Sequence, residues 1–304
     1  MRCRGAVLLA FLSLLLSTSM SVVCATLPAP DESHPYITDF HIAEADALTW
    51  IENVSLVSGH GRHMIHGSLT GSYNAGGEIL SDMNGVGVIL ENSDGEWSDP
   101  IQLSFTPDVV APSSSSSVFI HGVFDSDISI GQTNHTAEGP ALYLAAIDSA
   151  SEVIWSYVIE DQGTAPETLR LLPTNDGGMV GVGEFRHERS LSNSTFFSPA
   201  GQSTGGMTSA SEIMAFKITS NGTIAWSNTW GSDLDESILS SSPLNGGAAL
   251  LLRHTSSFSG SDPVARNATF GQYALSGEEG IVSVIIDADD GSIDEMPQQM
   301  TKVT

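Results

Sequence analysis

The chain has 304 residues, of which 36 are Asp or Glu and 10 are Lys or Arg, giving a formal net charge of −26. Nucleic acid and anionic membrane surfaces carry the same sign and are disfavoured as partners; solubility in salty or calcium-containing surroundings is the simplest use of such a charge. Two cysteines cannot build a multi-bridge framework, so burial of apolar side chains has to stabilise the fold.

The N-terminus comes first. Met1-Arg2-Cys3-Arg4 is a charged start, Ala6 to Leu16 is apolar apart from Ser13, and Val23-Cys24-Ala25 supplies the residues a signal peptidase reads. This anatomy predicts a secretory signal peptide over residues 1–25, cleaved after Ala25. A membrane-spanning helix needs about 20 apolar residues, and Ser17-Thr18-Ser19 interrupts this run first, so no transmembrane segment is expected. A lipid-anchored form that keeps Cys24 is the rival reading, against which Val23 is a poor residue before an acylated cysteine. Cleavage after Ala25 removes both cysteines, leaving no disulfide and no thiolate zinc site. The 10 basic residues less Arg2 and Arg4 leave 8 against 36 acidic ones. The expected location is secreted or at the extracellular surface.

Residues 26–304 then read as repeats. Five segments join an apolar strand, a polar turn and a second strand with Trp or an aliphatic residue at one place. They are Tyr36 to Ile42 with Trp50, Val86 to Leu90 with Trp97, Leu142 to Ile147 with Trp155, Ile213 to Ile218 with Trp226, and Ile281 to Ile286 with Ile293 where Trp would stand. Asn92-Ser-Asp-Gly95, Ser220-Asn-Gly222 and Asp287-Ala-Asp-Asp-Gly291 are turns that tolerate positive φ and close tight hairpins. The landmarks recur 47, 58, 71 and 67 residues apart by subtraction of residue numbers, as loops of varied length on a constant strand core would produce.

A second element, Met64-Ile-His-Gly67, Phe119-Ile-His-Gly122, Val180-Gly-Val-Gly183 and Leu250-Leu-Leu-Arg253, reads as a strand leaving a turn. About four short strands per repeat, with no amphipathic helical stretch, predict an all-β fold. The expected architecture is a β-propeller-like repeat domain of four to five blades, with an antiparallel β-sandwich as the alternative. Trp at one place per blade would pack between neighbouring blades. The first copy begins at a second strand and the last stops soon after Ile293, so the propeller is expected to be incomplete or a fragment of a longer one, with an open edge able to associate.

Ile213 to Gly231, an apolar strand, Ser-Asn-Gly, then Ile-Ala-Trp-Ser-Asn-Thr-Trp-Gly and an acidic stretch, resembles the extracellular β-propeller repeats of the SBBP kind. Those repeats similarly return through a strand such as Val180 to Gly183 and a small-residue stretch such as Asn267 to Gly271. The resemblance covers about Tyr36 to Ile293 and implies a propeller blade of secreted and cell-surface proteins, with no activity attached to the repeat itself. Sialidase-type Asp boxes do not fit Asp94-Gly-Glu-Trp97 or Asn221 to Trp226, quinoprotein ligands have no match, and no Trp-Asp ending of the WD kind is present.

Chemistry is sparse. No H-E-x-x-H, G-x-S-x-G, P-loop or helix-opening G-x-G-x-x-G occurs. His60, His63 and His66 are spaced by three, whereas a strand brings only alternate residues to one face, so surface imidazoles are expected over a metal site. His66 and His121 hold equivalent repeat places and are expected to be structural. The acidic loops Gly231 to Glu236 and Asp287 to Asp290 offer oxygen ligands of the type calcium takes, but neither follows the D-x-[DN]-x-[DN]-G loop; turn chemistry is the better account and calcium the secondary one.

Asn53, Asn134, Asn193, Asn221 and Asn267 head N-x-S/T sequons and would accept glycans in a eukaryotic secretory pathway, with Asn221 the best placed, in a hairpin turn. The functional expectation is a non-enzymatic extracellular scaffold that binds a protein or carbohydrate partner through its loops. The alternative is a secreted polysaccharide-acting hydrolase or lyase with its site at the propeller channel.

Overall fold

A computed structural model of the chain describes residues 50–75, 78–93, 96–97, 101–137, 139–161, 168–185, 189–191, 194–196, 211–231, 235–244, 246–255, 268–270, 272–275, 280–295 and 300–301. The predicted signal peptide and the strand expected at Tyr36 to Ile42 lie outside the described residues. All regular structure among them is β-strand, in antiparallel sheets of which none closes into a barrel. No helix among them is long and apolar enough to cross a membrane. The all-β expectation therefore holds. The chain divides into two compact units, residues 1–106 and 107–304.

In the first unit, sheet I is an antiparallel meander of Trp50–Gly59, Arg62–Ala75 and Glu78–Ser93, and both Glu96–Trp97 and Ile101–Leu103 pair with the third of these strands. His60 and Gly61 alone link the first two strands, at φ of 53° and 75°, the left-handed pair whose turn matches the twist of its flanking strands. Arg62 and Glu91 join the second strand to the third by a two-pronged ion pair, Nε to Oε1 and Nη2 to Oε2 at 2.6 Å each.

The second unit uses one strand plan three times. Sheet II is Val109–Pro112, Val118–Phe124, Ala141–Ile147 and Val153–Asp161. Sheet III is Thr168–Pro173, Met179–Phe185, Glu212–Ile218 and Ile224–Trp230. Sheet IV is Asp235–Leu244, Gly247–Thr255, Gly280–Asp287 and Ile293–Glu295. In each, the four strands form an antiparallel meander in chain order. A short hairpin is inserted each time between the second and third strands: Ile128–Ile130 with Thr133–His135, Arg189–Leu191 with Ser194–Phe196, and Ala268–Phe270 with Tyr273–Leu275. The second of these attaches to the preceding sheet, Leu191 pairing with Ile159 on the fourth strand of sheet II. Strand periodicity did not reveal the inserts, because three-residue strands are too short to show a period.

Strand register corrects one landmark. Trp155 lies opposite Ala146 and Trp226 opposite Lys217, each one place past a bulge. In sheet IV that position belongs to Glu295, opposite Ile285, while Ile293 opposes Ile286 as Ile224 opposes Ile218. Ile293 is thus the counterpart of Ile224 and not of Trp226. The turn before it is one residue longer than the turn Thr219 to Thr223, which displaces any count made along the chain.

Sheet III lies between sheets II and IV. Its third strand is buried at every residue, and alternation along the strand divides it between two cores. Met214, Phe216 and Ile218 pack with Phe119, Leu142, Leu144, Ala146 and Trp155 of sheet II. Ile213 and Ala215 pack with Leu250, Leu252, Val282, Val284 and Ile286 of sheet IV. Burial on both faces is why the sequence runs apolar there without a polar alternate. In sheet IV the alternation reappears, with Val282, Val284 and Ile286 buried and Ile281, Ser283 and Ile285 half-buried. The first strands of the three sheets also meet, Thr168–Pro173 lying against both Val109–Pro112 and Asp235–Leu244. There Arg170 donates Nη2 to the Ile238 carbonyl at 2.7 Å.

Each Trp hairpin also covers a turn of the next sheet. A Cβ added to Gly222 would stand 2.7 Å from the Trp155 side chain, and one added to Gly291 would stand 2.7 Å from the Trp226 ring. Both glycines have left-handed φ, 88° and 73°, so turn and neighbour alike call for glycine. Two residues beyond each Trp, a polar side chain reaches the same glycine: the Tyr157 hydroxyl donates to the Gly222 carbonyl, and Asn228 Nδ2 donates to the Gly291 carbonyl at 2.9 Å. The expectation that Trp packs between repeats holds at both positions.

Candidate functional site

The place held by Lys217 is apolar in the flanking sheets. Ala146 holds it in sheet II and Ile285 in sheet IV, by their pairing with Trp155 and Glu295. Lys217 is nonetheless only 5% exposed. An ammonium buried where an apolar side chain suits the packing costs solvation that a counter-ion has to offset.

Its counter-ion is Asp176, Nζ to Oδ2 at 2.7 Å. Asp176 stands in the turn from Thr174 to Gly178, which the Thr174 N–H closes on the Gly178 carbonyl at 2.9 Å. The Asp176 Oδ1 accepts from the Gly178 N–H at 3.1 Å and from the Thr174 hydroxyl. Burial by itself would raise the pKa of this carboxyl. Hydrogen bonds from Lys217, Thr174 and Gly178, together with the Lys217 charge, outweigh it and hold the value at about 2. The equivalent turn of sheet II closes in the same way, Ser113 N–H to Ser117 carbonyl, with Ser115 at the place of Asp176. The charge pair therefore belongs to sheet III and not to the common plan.

Lys217 and Asp176 line a recess of about 290 Å³ at the seam of sheets III and IV, together with Thr174, Asn175, Gly246, Ala288 and Asp289. Gly246, at φ of 93°, edges the recess, and nothing lies within 4 Å of where its Cβ would stand. Its far wall is pinned: the Ala288 N–H donates to the Gly246 carbonyl at 2.9 Å, and the Ala288 carbonyl accepts from Trp226 Nε1 at 2.9 Å. Asp289 is exposed at the rim, its backbone N–H bonded to Asp287 Oδ1 at 2.6 Å. One ammonium donor and two carboxylate acceptors thus share one small cavity.

The residues singled out from the sequence are dispersed. Asn134 is exposed in the inserted hairpin of sheet II, where its Oδ1 accepts from the Ser129 hydroxyl at 2.8 Å. Asn221 is exposed in its turn, its Oδ1 accepting the Thr223 N–H at 3.2 Å, an Asx-turn. Asn53 lies in the first strand of sheet I, and Asn193 and Asn267 lie outside the described residues. His60 is exposed and His63 Nδ1 is 2.7 Å from the Ser58 hydroxyl. His66 and His121, each on the second strand of its sheet, are 3% and 6% exposed; both are core residues, so the surface reading of the three-histidine cluster does not hold for His66. His121 Nε2 donates to the Leu169 carbonyl of sheet III at 2.7 Å, and desolvation pushes its pKa down. Among the described residues no group of three or more His, Cys, Asp or Glu is placed to hold a metal ion.

In the acidic turn of sheet IV, Asp287 and Asp290 bond the N–H groups of Asp289 and Ser292. Of the other acidic loop, 232–234 lie outside the described residues, while Glu236 is fully buried with its N–H on the Ser211 carbonyl at 2.8 Å. Sequence reading missed the Lys217 and Asp176 pair. The available signal was a lone cation inside the apolar run Ile213 to Ile218.

No protein-family model matches the chain, and no curated protein matches it.

Proposed function

We propose that residues 26–304 form a secreted, non-enzymatic β-propeller-like scaffold of the extracellular SBBP kind, which binds a protein or carbohydrate partner through its turns and inserted hairpins. The observation that carries this reading is the threefold recurrence of one four-strand plan with its inserted hairpin, first strands side by side and successive sheets face to face. Sheets fanned around an axis have that contact pattern, since their innermost strands meet while their faces pack. Such a scaffold frees its loops for recognition. The signal-peptide anatomy of residues 1–25 supports export, and the exposure of Asn134 and Asn221 supports their use as glycan acceptors.

The test is expression of the full chain in a secreting host. The protein should appear in the medium with Thr26 as its first residue, and the purified product should bind in a screen of glycans and extracellular proteins. Retention in the cell, or turnover of a polysaccharide by the pure protein, overturns the proposal.

A further inference from the structure

We infer that the recess between sheets III and IV binds one pyranose unit of a neutral glycan through a pair of adjacent hydroxyls. This rests on the binding-scaffold reading above and names the ligand class for one site on it.

The starting point is the Lys217 ammonium. It carries three N–H donors, and Asp176 is the acceptor that the described residues supply. The side chain is 6% exposed, so the walls of the recess desolvate most of it, and a charged donor short of acceptors is costly. Lys217 lines a cavity whose size sits at the lower end of ligand pockets, enough for one small ring and no more.

The charges around the cavity select the ligand. An anion meets the Asp176 carboxylate, ionised at any pH well above 2, the Asp289 carboxylate at the rim, and a chain of net charge −26. A metal cation meets the buried ammonium. An apolar group would offer the buried Lys217 ammonium no acceptor. A hydroxyl avoids all three penalties because it accepts and donates at once. One hydroxyl oxygen accepts from Lys217 Nζ while its hydrogen goes to a carboxylate, and its neighbour on the ring serves the second carboxylate. These are charge-assisted bonds, the stronger class. The Ala288 methyl offers a small apolar contact to the C–H face of the ring, and the hydrogen bonds that pin Ala288 keep that wall in place before binding.

Titration calorimetry of the purified full chain against methyl glycosides of glucose, galactose, mannose and N-acetylglucosamine tests this, with calcium chloride and sodium phosphate as parallel ligands. At least one glycoside should saturate in the millimolar range. Asp289→Ala, at an exposed rim position, should keep the melting curve and weaken that binding about tenfold or more, the effect of losing one hydrogen bond to a charged group. Lys217→Met should abolish it; if that variant does not fold, Asp289→Ala decides alone. Failure of every glycoside to saturate, indifference of binding to Asp289→Ala, or preferential uptake of calcium or phosphate overturns the inference. A glycan or protein partner found in the broader screen that binds the Asp289→Ala protein unchanged would leave the scaffold reading standing and remove this site alone.

Discussion

Trp226 donates its indole Nε1 to the carbonyl of Ala288 at 2.9 Å, and the same ring covers Gly291 three residues further on. Trp155 covers Gly222 of sheet III in the same way, but its buried Nε1 has no hydrogen-bond partner among the described residues. One packing device is thus used twice, once with its hydrogen bond and once without.

Replacement of each indole by phenylalanine separates the two contributions. Both variants lose ring area, but only Trp226→Phe also loses a hydrogen bond and leaves the Ala288 carbonyl without its donor. Trp226→Phe should therefore cost about 1 kcal/mol more than Trp155→Phe, whose lost donor was unsatisfied from the start. Urea midpoints at constant m-value measure the difference; equal losses would mean that the bond contributes nothing net.

The turn glycines give a second comparison. Gly291→Ala meets Asn228 Nδ2 at 2.6 Å and the Trp226 ring at 2.7 Å in addition to left-handed φ, and Gly222→Ala meets Trp155. Gly246→Ala has φ of 93° but nothing within 4 Å. The first two should lose roughly 2–4 kcal/mol, backbone strain plus overpacking, and the third about 1 kcal/mol from strain alone. Thermal unfolding of the three variants, ranked against one another, checks this.

Acid should weaken the second unit through Asp176. Its folded pKa of about 2 lies below its ordinary 3.8. The native state therefore binds fewer protons than the unfolded chain between those values, and this stabilisation is complete above pH 4 and fades as the pH falls toward 2. The carboxylate is 53% exposed, so solvent screening keeps the effect small. Asp176→Asn should flatten stability across that acid window. It should also melt at lower temperature than Lys217→Met at pH 7, because it leaves a buried ammonium uncompensated while the methionine removes the charge.

His121 works at higher pH. Desolvation lowers its pKa from 6.5, so folding favours the neutral ring, with the proton on Nε2 facing the Leu169 carbonyl. Its contribution is full above about pH 6.5 and declines as the pH drops below that value, where the unfolded chain takes up the proton first. His121→Gln should reduce the slope of stability against pH between 7 and 5, read from denaturation midpoints at each pH. An unchanged slope would assign that pH dependence to other groups.

The sequence by itself determined the features that a few adjacent residues decide. Strands at Leu142 to Ile147, Ile213 to Ile218 and Ile281 to Ile286 follow from apolar β-formers in short runs, and turns at Gly222 and Gly291 follow from the need for positive φ. Trp155 and Trp226 were legible as packing residues because so large a ring must be covered by something. Only the tertiary structure decided what covers them. It also moved Ile293 out of the Trp position through one extra turn residue, and it showed the three inserted hairpins. The candidate site was the least legible part. Lys217 and Asp176 are ordinary residues in a strand and a turn, and neither stands near the other in sequence. The meander of sheet III brings them within 2.7 Å, and the turn at Gly246 in the next sheet edges the recess beside them. Burial, ion pairing and cavity shape are sums over chain segments far apart, and local pattern carries no record of such sums.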